Sequence, residues 1–348
     1  RFRKHAKDIG PALPPPDPRI GYLLPDSPDQ PPQKITDANG VERYEVDYTA
    51  NEDGFLGSPS GSKTTLDVVY LAPAMKQGLE VRDMAEVTTI ARQPVGPRYR
   101  VSYVDHHSGQ TKSLLAEHVI VAAGTLNTLN ILLRSRAEGG LYGMPMLGRR
   151  FGTNGDYFGY WDYNEADVEQ SVGLPTTGGV RVLDDQDCPV IGGGGLPAVD
   201  SYPLPGFLRK RMKRAYMIAG LGEDRMTGTV SFSRGKLHVE YDPDQSPIFA
   251  KLKASFAEIG RRTGHRVYAP KTPITVHPTG GACLGERDFL EEDATRTNRC
   301  AVELKPPFSS SHWNLERFLG ERFIREDSDP HASSFFQVSH DASASRLY

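Results

Sequence analysis

A short apolar strand followed by a glycine and a helix is the feature that most constrains the fold of this chain. Residues 118–123 read His-Val-Ile-Val-Ala-Ala, and Gly124 separates them from a helical pattern that carries Leu126, Leu129 and Leu133. An apolar run of this length is typical of a strand that is buried on both faces of a parallel sheet. The sequence therefore predicts an α/β fold built around this unit.

The turn at Gly124 has two interpretations. We expect Thr125 to be the N-cap of the helix, which should end near Gly139 and Gly140. The first amides of a helix have no partner within it, so a glycine turn at this point can bind an anion or a dinucleotide. This makes Ala123 and Gly124 candidate cofactor contacts. The alternative is a turn that serves packing alone.

Other patterns predict a substrate-binding part that is built on a mixed or antiparallel sheet. Residues 99–104 alternate in polarity as a half-buried strand does, and residues 229–232 and 236–241 flank a Ser-Arg-Gly turn. A helix should follow Ser246 as N-cap, with Pro247 in its first position. Its apolar face is predicted to consist of Ile248, Leu252, Phe256 and Ile259.

Several segments lack such periodicity. The first 40 residues are rich in proline, which predicts an extended surface segment, with a PxxP ligand as the alternative. Residues 151–206 are glycine-rich and irregular. The basic run at 209–214 predicts a solvated helix end; a nuclear-localisation or lipid-binding segment is the alternative. No strand is predicted in 286–348, where 313–324 could form a helix.

Composition excludes several classes of protein. The chain has 41 Lys and Arg against 44 Asp and Glu, and the net charge of -3 argues against a nucleic-acid binder that relies on a global positive field. Its apolar runs are far shorter than the about 20 residues of a membrane-spanning helix. Three cysteines outside any CxxC pair predict no disulfide framework, no structural metal and a reducing, cytoplasmic compartment. No signal peptide is visible at Arg1–Gly10, and a chain that begins without Met is expected of a fragment or a processed product.

Four motifs in a fixed order carry a resemblance to a known family. They are Gly-Ser-Lys-Thr-Thr-Leu-Asp at 61–67, Val-Ile-Val-Ala-Ala-Gly-Thr at 119–125, Gly-Thr-Asn-Gly-Asp at 152–156 and His-Pro-Thr-Gly-Gly-Ala-Cys at 277–283. The series resembles the glucose–methanol–choline (GMC) oxidoreductases, and within them the cholesterol oxidase-like branch. The resemblance runs from about Tyr44 to Gly285.

The resemblance implies an FAD-dependent oxidoreductase that acts on the CH–OH group of an alcohol or sterol-like substrate. Hydride would leave the carbinol carbon toward flavin N5, and His277 would be the base or hydrogen-bond partner of the substrate hydroxyl. Histidine suits this role because its pKa lies near neutrality. The alternative is that His277 only orders its own loop before Pro278. The sequence does not indicate the oligomeric state.

The resemblance also implies cofactor contacts. Asn154 and Gly155 would lie near the isoalloxazine, and the backbone of Val87 would meet the adenine. Gly280 and Gly281 would let the backbone approach a flat ring, because glycine has no Cβ. Alternatives stay open, since Val87 suits an ordinary core strand and the two glycines suit a tight turn.

The implied division of the chain has five parts. Residues 1–43 are the proline-rich segment, 44–155 part of a Rossmann-like FAD-binding domain, 156–276 the substrate-binding domain, and 277–285 the return to the flavin site. Residues 286–348 are expected to be an atypical, poorly ordered tail, such as a shifted reading frame would produce.

The chain departs from the family pattern in three places. It contains no GxGxxG turn for the FAD pyrophosphate, and no Asn-Pro segment matches the family's ending. Gly192 aligns with the carboxylate that moves a steroid proton in cholesterol oxidases, which argues against steroid isomerisation. A second function therefore stays open, that of a non-catalytic remnant or interaction protein without bound flavin.

Overall fold

The structure of the protein, a computed structural model, describes most of the chain between residues 6 and 282. The described residues are 6–10, 21–27, 29–37, 40–50, 57–163, 169–172, 178–183, 189–282 and the backbone of 300–302. Cys188, Cys283 and the helix expected at 313–324 lie outside them, as does nearly all of the predicted tail.

The N-terminal part is more regular than its proline content suggests. Strands β1 (Lys34–Thr36) and β2 (Glu42–Tyr44) form an antiparallel hairpin that the sequence analysis did not predict. Residues 6–10 form a turn and not an extended segment, because Ala6 and Ile9 are apolar and bury their side chains in a core cluster.

The first of the four motifs is held by a buried arginine of this hairpin. Arg43 donates from Nε to the Gly61 carbonyl oxygen (2.9 Å) and from Nη2 to the Ser62 carbonyl oxygen (3.1 Å). A π-helical turn, Asp67–Leu71, then continues into helix α1 (Ala72–Lys76). The segment 61–67 is thus anchored by its backbone to β2.

A three-stranded antiparallel sheet follows. Its strands are β3 (Ala85–Arg92), β4 (Tyr99–Asp105) and β5 (Gln110–Ala116), and β4 is the middle strand. Tyr99, Val101 and Tyr103 are buried on one face of β4, as the alternation of residues 99–104 predicts.

The strand–glycine–helix unit is formed by β6 (Val119–Val121) and helix α2 (Thr125–Ala137). Leu129, Leu132 and Leu133 of α2 are buried in a core cluster that also includes residues of β3 and β4. The prediction that this strand is buried on both faces is wrong for Ile120, which is 46% exposed. Its face of the strand is not covered in the part of the chain that the structure describes.

The remaining elements are mostly antiparallel strands with two helices. They are β7 (Arg149–Gly152), β8 (Tyr157–Asp162), β9 (Gly178–Arg181), β10 (Val190–Gly194), α3 (Gly206–Met212), β11 (Tyr216–Gly220), β12 (Gly228–Ser233), β13 (Lys236–Glu240), α4 (Pro247–Thr263), β14 (Arg266–Tyr268), β15 (Thr279–Gly281) and β16 (Cys300–Val302). The predicted hairpin at 229–241 and the predicted helix at 247–263 are both present.

These strands form two larger sheets and one parallel pair. The order is β14-β8-β11-β10-β9 in the first sheet and β13-β12-β7-β15 in the second. The second sheet joins strands from three of the five predicted parts. Strand β16 pairs in parallel with β6, although the sequence analysis predicted no strand in that part of the chain.

Helix α4 closes the core on the larger sheet. Its buried residues include the predicted Ile248, Leu252, Phe256 and Ile259, which pack against Trp161, Tyr216 and Ile218. Ser246 is at the N-cap position, but its hydroxyl accepts a hydrogen bond from the Arg225 amide (3.1 Å) and makes no cap bond within the helix. The fold therefore consists of helices packed on mainly antiparallel sheets, with one parallel pair at the glycine turn.

Candidate active site

The His277 ring is held by a fully buried carboxylate. Nδ1 of His277 lies 2.9 Å from Oδ2 of Asp156, whose side chain is 0% exposed. The same oxygen accepts hydrogen bonds from the Thr275 hydroxyl (2.9 Å) and from the amides of Val276 (3.0 Å) and His277 (3.1 Å). Asp156 therefore fixes both the ring of His277 and the backbone that carries it.

The tautomer of His277 follows from this partner. A carboxylate oxygen accepts hydrogen bonds, so Nδ1 of the ring is the donor. In the neutral imidazole Nε2 then bears the lone pair and is the nitrogen that can take a proton. The His277 side chain is 22% exposed, so the ring is partly accessible from outside the protein.

Asp156 reaches this position through a tight turn between β7 and β8. Asn154 and Gly155 both have left-handed backbone conformations, with φ of 59° and 64°. A Cβ on Gly155 would lie 2.6 Å from the carbonyl oxygen of Gly222, so only glycine fits there. The turn packs against this neighbouring backbone and places Asp156 directly before β8.

A second carboxylate, the half-buried Asp224, fixes the start of the same turn. Oδ2 of Asp224 accepts hydrogen bonds from the Thr153 amide (2.7 Å), the Thr153 hydroxyl (3.1 Å) and the Tyr241 hydroxyl (2.9 Å). Burial raises the pKa of the Tyr241 hydroxyl, and the charge of Asp224 adds to the rise. The Thr153 carbonyl oxygen in turn accepts from Thr275 (2.9 Å), which connects the two networks.

The glycine turn before α2 is hydrogen-bonded to the His277 loop. Thr125 donates from its hydroxyl to the carbonyl oxygen of Pro278 at 2.7 Å, across 153 positions in the sequence. The prediction that Thr125 caps the helix is wrong, because Gly124 is at the N-cap position and the Thr125 hydroxyl is used by Pro278. The Ala123 amide instead donates to the hydroxyl of Thr128 (3.2 Å).

Gly280 and Gly281 lie in strand β15 and not in a tight turn. Their φ values are 79° and 81°. A Cβ on Gly280 would lie 2.0 Å from the Arg150 carbonyl oxygen, and one on Gly281 would lie 2.5 Å from the Leu129 side chain. The chain's own packing therefore requires both glycines, and a flat ring could approach this backbone only from another side.

The structure brings most of the candidate residues together and leaves one apart. Hydrogen bonds link the His277 loop to the segments of Gly124 and Asn154, and β15 follows that loop directly. Val87 is half-buried in β3, where it pairs with Tyr103 and packs against the core cluster around α2. Strand β3 belongs to the three-stranded sheet, whereas β15, which follows His277, belongs to the sheet that contains β7.

Two residues of the site were missed by the sequence analysis. Asp156 stands in the Gly-Thr-Asn-Gly-Asp motif, but the motif does not show that its carboxylate is buried against His277. The signal that could have found it is a lone acidic residue between a glycine turn and the aromatic strand Tyr157–Asp162. Thr125 was assigned to a cap, and no pattern in the sequence points to its bond with Pro278.

The start of α2 fits one part of a flavin nucleotide. No atom of the described residues lies within 4 Å of the position that a Cβ on Gly124 would occupy, so they leave the space beside this glycine open. The N-terminus of a 13-residue helix adjoins it, and its amides favour an anionic or polar group. Open space, a helix N-terminus and a histidine on the adjoining loop suit a flat, phosphorylated cofactor.

Two further properties of the described residues bear on the type of site. No group of three or more His, Cys, Asp or Glu side chains among them could hold a metal ion. In the same part of the chain, no helix has the length and apolar composition that crossing a bilayer requires.

Comparison with known proteins gives a family match over part of the described chain. Residues 42–151 match the family model of the GMC oxidoreductases. The GMC match includes Val87, Ala123 and Gly124 and ends before Asn154. The assignments of Asn154 and His277 therefore depend on the motif resemblance and on the geometry.

Relatives of the same class match a longer stretch. Two GMC-type oxidoreductases described as uncharacterized, from the CDC 1551 / Oshkosh and ATCC 25618 / H37Rv strains of Mycobacterium tuberculosis, are each 31% identical to this chain over 215 residues. The match covers 59% of this chain and 33% of each relative. The chain thus spans about a third of the length of the curated relatives it matches.

Proposed function

We propose that this chain provides part of an FAD-dependent oxidoreductase that acts on the CH–OH group of an alcohol. The observation that carries the proposal is the double attachment of the His277–Pro278 pair. Asp156 binds the ring of His277, and Thr125, at the start of α2, binds the carbonyl oxygen of Pro278. A histidine with a fixed tautomer thereby adjoins a helix N-terminus with open space beside it.

His277 is the residue assigned to the substrate hydroxyl. With Nδ1 donating to Asp156, Nε2 accepts the hydroxyl proton while Asp156 stabilises the imidazolium that forms. Because the Asp156 carboxylate holds both the ring and its own loop amides, the ring keeps its orientation as the proton moves. Such positioning avoids the reorganisation that a mobile base would need.

FAD, when bound, accepts the hydride that leaves the carbinol carbon. The residues that would hold it near the α2 N-terminus are Ala123, Gly124, Asn154, Gly155, Gly280 and Gly281. Val87, which stands apart in β3, would meet the adenine end. The GMC match over residues 42–151 supports Val87, Ala123 and Gly124. The helix N-terminus favours the cofactor's phosphate. The flat ring would adjoin the Asn154–Gly155 turn and strand β15.

The substrate is assigned to the alcohols more broadly than to the sterols. Gly192 lies in β10 between Gly179 and Ala219 of the neighbouring strands, and a glycine there supplies no proton-carrying group. The cholesterol oxidase-like resemblance thus extends to alcohol oxidation at a sterol-like hydroxyl, but not to movement of a double bond in the ring.

An anaerobic reduction experiment tests the proposal. The purified chain is incubated with FAD until the flavin fluorescence shows saturation, and a series of primary, secondary and sterol alcohols is added. The expected result is that at least one alcohol bleaches the visible flavin band and yields the carbonyl product. A folded chain that binds no FAD at any attainable concentration, or that holds FAD which no alcohol reduces, would contradict the proposal. The first outcome would favour a non-catalytic interaction protein.

A further inference from the structure

Helix α3 exposes an aromatic residue at the head of a basic face. None of the seven residues Gly206–Met212 is buried, and the Phe207 side chain is 79% exposed. Lys210, Arg211 and Arg214 follow Phe207 at intervals of three, four and seven residues, which places all four side chains on one side of the helix and its closing turn. An exposed phenyl ring stabilises nothing in the described fold.

The cations of this segment are only partly neutralised. Arg211 donates to Asp162 (2.6 Å), and Lys213 lies 2.5 Å from Asp200. Within the part of the chain that the structure describes, Lys210 and Arg214 make no ion pair. Lys210 and Arg214 therefore add positive charge to a surface on which the neighbouring cations are paired with carboxylates.

A hollow of about 370 Å³ lies on the same side of the helix. Its lining residues are Asp162, Phe207, Lys210, Arg211 and Arg214. Three cations against one carboxylate favour an anion in the hollow, and the phenyl ring at its rim favours an apolar neighbour. The ligand that combines both is an anionic headgroup attached to hydrocarbon.

We propose that the face formed by Phe207, Lys210, Arg211 and Arg214 docks on an anionic phospholipid surface. The phosphate of a headgroup occupies the hollow, and Phe207 inserts at the boundary between headgroups and acyl chains. Interfacial helices combine these two features, and each Lys or Arg near an anionic membrane adds to the attraction. Here the basic run belongs to a lipid-binding face and not simply to a solvated helix end.

The exposed phenyl ring is what distinguishes a lipid surface from other anionic partners. A free phosphate uses the cations alone and gains nothing from Phe207. A nucleic-acid duplex needs a wider positive field than five cations of one short segment in a chain of net charge -3 supply. A membrane uses both the charge and the exposed ring, and it does not require that the chain cross the bilayer.

Vesicle co-sedimentation of the full chain tests this proposal. The chain should sediment with vesicles that contain equal parts of phosphatidylcholine and phosphatidylglycerol, and not with phosphatidylcholine alone. Added salt should weaken the association, because exposed charges are screened over about 10 Å at 0.1 M. Charge reversal in the double variant Lys210→Glu/Arg214→Glu should weaken it at least about tenfold. Phe207→Ser should weaken it about fivefold.

Matched variants elsewhere on the surface provide the controls. Lys236→Glu/Lys271→Glu makes the same change of net charge at two exposed positions, and Val95→Ser removes another exposed apolar side chain. Both should bind like the wild type, and circular dichroism should show that every variant is folded. The proposal is overturned if the wild type does not bind anionic vesicles, or if the control variants lose as much binding as the test variants. It is also overturned if Phe207→Ser binds normally and inorganic phosphate alone displaces the vesicles.

Discussion

Oδ2 of Asp156 lies 2.9 Å from Nδ1 of His277, 121 residues further along the chain, and also accepts the amide hydrogen of that same histidine. One buried oxygen therefore sets the position of the loop and the tautomer of the ring. The second oxygen, Oδ1, is also buried, and no donor of the described residues reaches it. All the hydrogen bonding of this carboxylate in the described structure is thus directed at the His277 loop.

Asp156→Asn should lower the free energy of unfolding of the protein and change the tautomer of His277. An amide can accept with only one of its two groups, and its NH₂ repels the donors around it. Weakening several buried hydrogen bonds to a charged carboxylate should cost about 3 kcal/mol of the free energy of unfolding. Urea titration measures this cost, and Asp244→Asn, at an exposed carboxylate, is the control. Nitrogen NMR of the His277 ring should show Nδ1–H as the major tautomer in the wild type and a mixture in the variant. An unchanged tautomer in a folded variant would refute this role.

Gly280→Ala and Gly124→Ala should differ although both glycines have positive φ. The φ values are 79° and 73°, so alanine at either position would have a positive φ, which is unfavourable for an L-residue. The alanine Cβ at 280 would also meet the Arg150 carbonyl oxygen at 2.0 Å, whereas at 124 no atom of the described residues would lie within 4 Å of it. We expect Gly280→Ala to lower the free energy of unfolding by about 2 kcal/mol more than Gly124→Ala. Equal losses in thermal unfolding would show that the clash at 280 is relieved by backbone movement.

Gly124→Ala has a second expected effect, which concerns FAD. The open space beside Gly124 is where the cofactor should approach the helix N-terminus, and the added methyl group would fill part of it. FAD affinity should therefore fall in Gly124→Ala. The matched comparison is Leu126→Ala, which alters an exposed side chain of the same helical turn without adding a Cβ at the glycine. A Gly124→Ala variant that binds FAD like the wild type would remove Gly124 from the cofactor contacts.

Tyr241 should make the protein sensitive to alkali. Its pKa is raised by burial, so the neutral hydroxyl is favoured in the folded state. The corresponding stability is complete below the unfolded-state pKa of about 10 and is lost as the pH rises from there through the folded-state pKa. Tyr241→Phe should reduce stability at neutral pH, since the bond to Asp224 is lost, and should flatten the decline above about pH 10. Tyr44→Phe, at an exposed tyrosine, is the control. A decline as steep as that of the wild type in Tyr241→Phe would contradict the assignment.

FAD should bind to this chain only weakly. In dinucleotide-binding folds the pyrophosphate site at a helix N-terminus is among the main contacts, and the sequence has no GxGxxG turn to form it. We expect a dissociation constant above about 1 μM in a titration that follows the quenching of flavin fluorescence. A sub-micromolar value would show that the residues present form a more complete cofactor site than this one helix N-terminus.

The sequence predicted elements whose patterns are local. The apolar face of α4 and the hairpin β12–β13 follow from spacing and turn chemistry, and both are present as expected. The strands β9 and β10 were not predicted because they are rich in glycine, which has a low β-propensity. The sequence of β10, for example, is Val-Ile-Gly-Gly-Gly. Their pairing comes from neighbours that are distant in the sequence.

The site was predictable in its composition but not in its connections. The motifs indicated the segments of Gly124, Asn154 and His277, which hydrogen bonds do link. The bonds themselves, from His277 to Asp156 and from Thr125 to Pro278, span 121 and 153 positions. No local pattern encodes such contacts, and a buried aspartate cannot be told from a surface one by spacing alone. For this reason Thr125 was expected to be a cap and Asp156 was given no role.

The reduction of bound flavin in His277 variants tests the central claim most directly. His277→Ala, His277→Asn and the control His238→Ala, at an exposed strand position, are each saturated with FAD and mixed anaerobically with the alcohol that reduces the wild type fastest. We expect His277→Ala to bind FAD like the wild type and to reduce it about 10²–10⁴ times more slowly, with His277→Asn between the two and His238→Ala unchanged. An Ala variant that reduces FAD at the wild-type rate would contradict the account. A variant that is slow only because it no longer binds FAD or no longer folds would also contradict it, since His277 would then be a structural residue of its loop.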